Sequence, residues 1–223
     1  MLRRVSIRPR AVVYVDGFNL YRQKLHHHPD TKWLDLVRLS ELLLPTHDVV
    51  AVEYFTALVK PALGTDPQAP IRQQTYLRAL SSLPAVRQHF GQFRHDARRL
   101  PVIPIELDES GVPRRVKVRK TEEKGSDVNL AARMVVDASR QRADVYVLLS
   151  NDSDFADMLG LLSSELDARF GLFSPVESPA ARLLQQLPLF IKPIRRAALL
   201  ASQLPAVVVT PDGNTVHRPS AWQ

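Results

Sequence analysis

Cysteine is missing altogether from the 223 residues, so disulfides, thiolate nucleophiles and Cys-ligated zinc are excluded. No stretch approaches 18 uninterrupted apolar residues, and no membrane-spanning helix is expected. The basic start, MLRRVSIRPR, lacks the apolar core of a signal peptide, because Ala11–Val15 is short and runs into Asp16. There is no internal repeat and no low-complexity segment. Together these absences predict a soluble, cytoplasmic protein. Acidic residues are in deficit: 23 Asp and Glu face 30 Lys and Arg, a formal net charge of +7. That excess favours polyanionic partners such as nucleic acid.

What is present suits one α/β domain with a tail, since 45% of the residues are hydrophobic. The short apolar run Ala11–Val15 predicts a strand covered on both faces. Leu34–Leu44, closed by Pro45, predicts a helix. Val49–Val59 predicts a second strand, Ala69–Leu80 a helix with Pro70 in its first turn, and Val86–Phe93 a third strand. Pro101–Lys120 reads as a β-hairpin, with VIPIEL and RRVKVRK flanking Asp108–Gly111. Further on, helices are expected at Asp127–Arg140, Asp154–Leu166, Pro179–Leu187 and Arg195–Leu204. Strands are expected at Asp144–Leu149 and Ala168–Phe173, with Phe190–Ile194 extended and the final segment docked or partly mobile. This alternation argues for a doubly wound, mainly parallel sheet.

In such sheets ligands bind beyond the carboxyl ends of the strands. Two apolar strands end in acidic clusters: Asp16 with Gly17, Phe18 and Asn19, and Ser150 with Asn151, Asp152, Ser153 and Asp154. Asp127 opens the helix after the basic arm. If the two strands are neighbours, Asp16, Asp127, Asp152 and Asp154 converge at one edge. Gathered carboxylates repel unless a cation offsets them, and hard oxygen donors suit Mg²⁺ or Mn²⁺. Six basic residues, Arg114, Arg115, Lys117, Arg119, Lys120 and Lys124, crowd into the second hairpin arm and just beyond it.

Plainer readings exist for each part. Asp16-Gly17 alone is an ordinary strand-to-turn junction. Ser153 or Asp154 caps the following helix, Asp127 favours a helix dipole, and Glu122 and Glu123 are expected to be solvated. The basic arm alone suits a protected sheet edge. His26-His27-His28 reads as a surface loop, Trp33 as core, and Asp137 as an exposed mid-helix residue.

VDGFNLY (Val15–Tyr21), EKGSDVNLA (Glu123–Ala131) and LLSNDSDF (Leu148–Phe155) resemble the three signature blocks of NYN-domain proteins, members of the PIN-like nuclease superfamily that include the bacterial LabA-like group. TKWLDL (Thr31–Leu36) and the closing His-Arg-Pro-Ser-Ala-Trp also resemble bacterial members. The resemblance spans roughly residues 10–195, leaving a basic N-terminal extension over 1–9 and a C-terminal helix and tail over 196–223. It implies an α/β fold of Rossmann-like, PIN-like three-layer type with a mainly parallel central sheet, plus the basic β-hairpin as an insertion. It also implies metal-dependent endoribonuclease activity with Mg²⁺ or Mn²⁺. Carried across by position, Asp16, Asp127, Asp152 and Asp154 match the family's acids, Asn19 the asparagine of the first block and Ser150 the small polar residue of the last. Asn151 stands where many members have glycine.

The expected partner is RNA, although nothing in the sequence separates RNA from DNA, and a homodimer stays open. Two rivals stand beside this reading. One is an RNA-binding or regulatory protein that uses the same pocket without cleaving. The other is an aspartyl-phosphate enzyme of the haloacid-dehalogenase kind, whose second acid would occupy the position of Phe18.

Overall fold

Consecutive apolar residues in β1 (Arg10–Asp16) follow from its place in the middle of the molecule. Ala11, Val13 and Val15 enter one core layer, and Val12 and Tyr14 enter the other. The computed structural model describes residues 8–59 and 66–223. Around β1 lie β2 (Asp48–Ala57), β3 (Val86–Pro101), β4 (Arg115–Lys124), β5 (Val145–Leu149), β6 (Phe170–Ser174) and β7 (Ile191–Pro193). Their order is β4-β3-β2-β1-β5-β6-β7, parallel throughout except for the antiparallel β3–β4 pair. A separate two-stranded hairpin, β8 (Val207–Val209) with β9 (Thr215–His217), belongs to the C-terminal segment.

The helices are α1 (Gly17–Leu20), α2 (Leu36–Leu43), α3 (Ala69–Leu80), α4 (Ser126–Ser139), α5 (Ala156–Leu166), α6 (Ala181–Leu184) and α7 (Arg196–Ala201). Apolar residues of α2, α3, α7 and the tail pack on one sheet face, and those of α4, α5 and α6 on the other. The result is the predicted three-layer α/β architecture, with helices covering a mainly parallel sheet. From β1 the chain passes to β2 on one side, and through α4 it returns to β5 on the other. The crevice between the ends of β1 and β5 is therefore the topological switch point.

The C-terminal segment is docked. Trp33 is fully buried, as expected of core, and its indole N–H donates to the Pro205 carbonyl at 2.7 Å. Trp222 packs against Trp33 and Tyr76, with ring centroids 6.3 and 6.2 Å apart. Of the N-terminal extension, residues 1–7 lie outside the described residues. No described helix is long and apolar enough to cross a membrane.

Several boundaries differ from expectation. The strand predicted over Val86–Phe93 and the hairpin predicted over Pro101–Lys120 are one feature: β3 runs unbroken to Pro101 and pairs with β4 from Gln92↔Lys124 to Pro101↔Arg115. VIPIEL is not a strand arm; within it only Leu107 bridges, to Pro113. Tertiary pairing extended the strand through the polar stretch Arg94–Arg99, where local propensity is weak. The predicted helices at Pro179–Leu187 and Arg195–Leu204 shrink to Ala181–Leu184 and Arg196–Ala201.

Asp137 is the clearest correction. It is not exposed but 1% accessible, on the side of α4 that faces the sheet. Its Oδ2 accepts from the Tyr14 hydroxyl at 2.9 Å and from Arg133 at 3.0 Å, and its Oδ1 from Arg142 at 2.9 Å. Fully buried Glu53 on β2 completes the group, bound by Arg87 at 2.8 Å and His89 at 2.6 Å. Burial alone would raise the Glu53 pKa, but hydrogen bonds from His89 and Arg87 and the charge of Arg133 hold it below its usual range. Apolar periodicity cannot reveal a carboxylate whose partners lie on other elements. Asp137→Ala strands the Tyr14 hydroxyl and leaves Arg133 and Arg142 short of an acceptor. It should lower the unfolding free energy by about 3 kcal/mol in urea titrations, whereas an exposed helical Asp would cost under about 0.5 kcal/mol.

Candidate acidic site at the switch point

Asp16 is the last residue of β1 and the N-cap of α1, with its Oδ1 accepting from the Asn19 N–H at 2.9 Å. Its helix can start so abruptly because Gly17 lies against β2. A Cβ there would sit 2.7 Å from the Phe55 carbonyl oxygen and 2.7 Å from the Tyr54 hydroxyl. The β1–β5 register, Val15↔Leu149, then sets Asp16 beside Ser150. The Ser150 hydroxyl donates to Asp16 Oδ2 at 2.9 Å and accepts the Asp152 N–H at 3.1 Å. One hydroxyl thus joins the two acidic blocks.

The second block is held as tightly. Asn19 Oδ1 accepts the Asn151 N–H at 3.0 Å, and Asn151 Oδ1 accepts the Ala180 N–H at 2.7 Å. Asn151 is therefore a strut between β5 and the approach to α6. The expected cap, Ser153 or Asp154, is replaced by Asp152, whose Oδ1 accepts the Asp154 N–H at 3.0 Å at the start of a 3₁₀ turn over Ser153–Phe155. Capping uses one oxygen of Asp152, and no protein hydrogen bond occupies Oδ2 among the described residues. Asp154 itself is exposed at the rim.

Asp127 comes from the opposite bank, in the first turn of α4. Gly125 precedes it at φ 99°, a left-handed conformation that suits glycine. Glu123, expected to be solvated, is instead engaged: its carboxylate accepts from the Ser126 N–H at 3.1 Å and from the Ser126 hydroxyl at 2.6 Å. It thereby fixes the start of α4. Asp127 is exposed as a residue, yet desolvation of its carboxyl and the charges of Asp16, Glu123, Asp152 and Asp154 push its pKa up to about 6. Burial likewise raises Asp16, against the lowering effect of hydrogen bonds from Asn19 and Ser150. No described salt bridge reaches Asp16, Asp127, Asp152 or Asp154. The four carboxylates share one field of uncompensated negative charge, and their oxygens are hard donors of the kind Mg²⁺ or Mn²⁺ takes. Among the described residues, no three His, Asp or Glu side chains already form a ligating group. The His26–His28 stretch follows a helical turn over Tyr21–Leu25 and is exposed, in line with a surface loop.

The six basic candidates divide. Arg114 pairs with Glu106 at 2.6 Å, and Lys120 and Lys124 both pair with Glu122, which their hydrogen bonds pull down to about 2. Arg115, Lys117 and Arg119 have no acidic partner among the described residues. Directly opposed residues of an antiparallel pair share a face, so Arg99 joins these three opposite Lys117. The same alternation places Phe93 and Glu123 on this face, where it reaches the start of α4. Phe93 meets Phe18, two residues beyond Asp16, with ring centroids 5.7 Å apart. Arg94, Asp96, Arg98, Lys120, Glu122 and Lys124 share the other face and neutralise one another. Sequence reasoning missed Arg99; its signal was the period-two pattern of β3, invisible once that strand was ended at Phe93.

The NYN domain family matches residues 10–194 of this chain. Over its whole length the chain is 27% identical to the 6-hydroxy-3-succinoylpyridine 3-monooxygenase HspA of Pseudomonas putida (strain DSM 28022 / S16), 78% of which is covered. The crystal structure of a protein of unknown function from Vibrio parahaemolyticus RIMD 2210633 shares the fold, with a TM-score of 0.54 at 14% identity. The match covers 86% of this chain and 96% of that one. With its sheet order, its acidic switch-point crevice and the family match over most of its length, the chain belongs to the NYN domain family, within the PIN-like nuclease superfamily.

Proposed function

We propose that the protein is a Mg²⁺- or Mn²⁺-dependent endoribonuclease that hydrolyses RNA at the corner formed by Asp16, Asp127, Asp152 and Asp154. The observation that carries this reading is the Ser150 hydroxyl bound to both the Asp16 carboxylate and the Asp152 amide, with the charges of Asp16, Asp152 and Asp154 felt at Asp127 and, among the described residues, no salt bridge to any of the four. Asp16 and Asp152 are the natural holders of an ion, because Ser150 fixes both and the second Asp152 oxygen is free. Asp127 and Asp154 complete the site directly or through water. Mg²⁺ commonly keeps several waters and takes only one or two carboxylates, a demand that Asp16 and Asp152 could meet. A divalent cation bound there supplies positive charge that acidifies water and offsets negative charge on the phosphodiester.

The chain's own residues do the rest. Ser150 and Asn19 hold the Asp16 carboxylate and the Asn151 backbone in place, so the acids need little reorganisation when substrate arrives. Arg99, Arg115, Lys117 and Arg119 attract the phosphates and direct the strand toward Asp127. Water then adds to phosphorus as the opposite P–O bond breaks. A second reading, hydroxylation of a small aromatic substrate, draws on the full-length similarity to the pyridine monooxygenase. It needs dioxygen and an electron donor. Oxygen uptake dependent on a hydroxypyridine acid and reduced nicotinamide nucleotide, without RNA cleavage, would establish it instead.

Labelled RNA should be cut with Mg²⁺ or Mn²⁺ and left intact in EDTA, and Asp16→Asn and Asp152→Asn should each slow cleavage by about 10²–10³-fold. Cleavage that survives both substitutions would trace to a contaminant and defeat the assignment. The raised Asp127 pKa predicts a pH limb: its carboxylate is charged above about pH 6 and neutral below it. Cleavage at subsaturating Mn²⁺ should therefore fall as pH drops through 6, and Asp127→Asn should be slow without that limb. The division of the basic face makes a further prediction. In salt titrations of binding, Arg99→Ala, Lys117→Ala and Arg119→Ala should each reduce the slope of log K against log salt by about 0.7, while Lys120→Ala and Lys124→Ala change it far less.

A further inference from the structure

A cavity of about 390 Å³ opens beside the start of α1. That volume falls in the range of small-molecule sites. Gly17 and Phe18, the two residues after Asp16, form one wall, and Tyr54, Tyr76 and Trp222 form much of the rest. The aromatic wall is rigid. Tyr76 donates to the Leu34 carbonyl at 2.9 Å, and its ring lies 6.4 Å from Tyr54 and 6.2 Å from Trp222. Gln73 is anchored in the wall, donating to the Ala57 carbonyl at 2.9 Å and accepting the Val59 N–H at 2.8 Å.

Leu20, Leu25, Val59 and Ala69 add apolar surface, and Arg22, Lys32 and Arg72 bring positive charge to the lining. Lys32 lies over the Tyr21 ring, 5.3 Å from its centroid, and has no carboxylate partner among the described residues. Arg72 also lines the cavity and, among the described residues, pairs only with exposed Asp66. Burial lowers the Lys32 pKa, and the neighbouring charge of Arg72 lowers it further, a strain that an anion would relieve. Flat aromatic walls and an uncompensated cation describe a receptor for a planar ring carrying an anionic group. A nucleotide has that chemistry, and the adjacent Asp16 corner is where its phosphodiester would be processed.

The geometry points to this cavity as the seat of one nucleobase from an unpaired RNA strand, stacked among Phe18, Tyr21 and Trp222, with Lys32 and Arg72 taking the neighbouring phosphate. The assignment rests on the ribonuclease reading and deepens it, because a base can enter only where it is released from a helix.

The two tryptophans make the test direct. In a ¹⁵N-labelled full chain kept in EDTA, the Trp222 indole signal, identified by its loss in Trp222→Phe, should shift on titration with UMP or AMP. Ribose 5-phosphate at the same concentration should leave it in place, and Lys32→Ala should weaken nucleotide binding about tenfold. An unmoved Trp222 signal would overturn the proposal. So would an equal response to ribose 5-phosphate, or a response to nicotinate with none to nucleotides. The titration reads the cavity without cleavage. RNA cut by a protein whose Trp222 ignores nucleotides would defeat the seat and spare the nuclease reading, while a responsive Trp222 with uncut RNA would support the seat and defeat the nuclease.

Discussion

Like charges gathered at the ends of parallel strands are the constraint on which the rest of this structure depends. Asp16 and Asp152 would repel if free, and the fold holds them through one serine hydroxyl that binds the Asp16 carboxylate and the Asp152 amide. That bridge exists because β1 and β5 are parallel neighbours, in register from Ala11↔Val145 to Val15↔Leu149. It also needs Gly17, since a side chain there would collide with β2 and push α1 away from the crevice. The energetic cost of assembling the acids is thus met by backbone pairing and burial elsewhere, leaving a corner with net negative charge and no protein cation. Carboxylates brought together in this way are the basis of the proposed metal site.

The two charged assemblies of the molecule make a useful contrast. Around Glu53 and Asp137, carboxylates are matched by Arg87, His89, Arg133 and Arg142, and every partner lies in the protein. That group glues α4 to the sheet, and its two carboxylates are outnumbered by three guanidinium groups. The Asp16 corner lies two strand positions further along, at the opposite end of α4, and there no described salt bridge matches the acids. The β3–β4 ribbon repeats the pattern on a smaller scale, with one face self-neutralised around Glu122 and the other carrying four cations that have no acidic partner among the described residues.

Much of the fold was legible from local signals. The apolar runs at Ala11–Val15 and Val145–Leu149 could only be buried strands, and both ended where the polar residues began. Helices over Ala69–Leu80 and near Asp127–Arg140 followed from proline position and an apolar stripe. Failures fell where long-range partners overrode local preference. β3 ran on through Arg94–Arg99 because β4 supplied hydrogen bonds, and Asp137 was buried because two arginines and a tyrosine surrounded it. Asp152 took the capping role given to Ser153 or Asp154, since the chain leaves β5 in an extended conformation that persists through Asp152.

By itself the sequence determined the alternation of strands and helices, the three acidic blocks and the surplus of positive charge, because these depend on residue type and spacing along the chain. Only the tertiary structure decided which groups meet. It joined Asp16 to Ser150 across 134 positions, sorted six basic residues into paired and free by strand alternation, and brought Trp222 from the far end of the chain to wall a cavity beside Gly17. Such pairings depend on the order in which strands lie side by side, and that order is a property of the packed core rather than of any one segment.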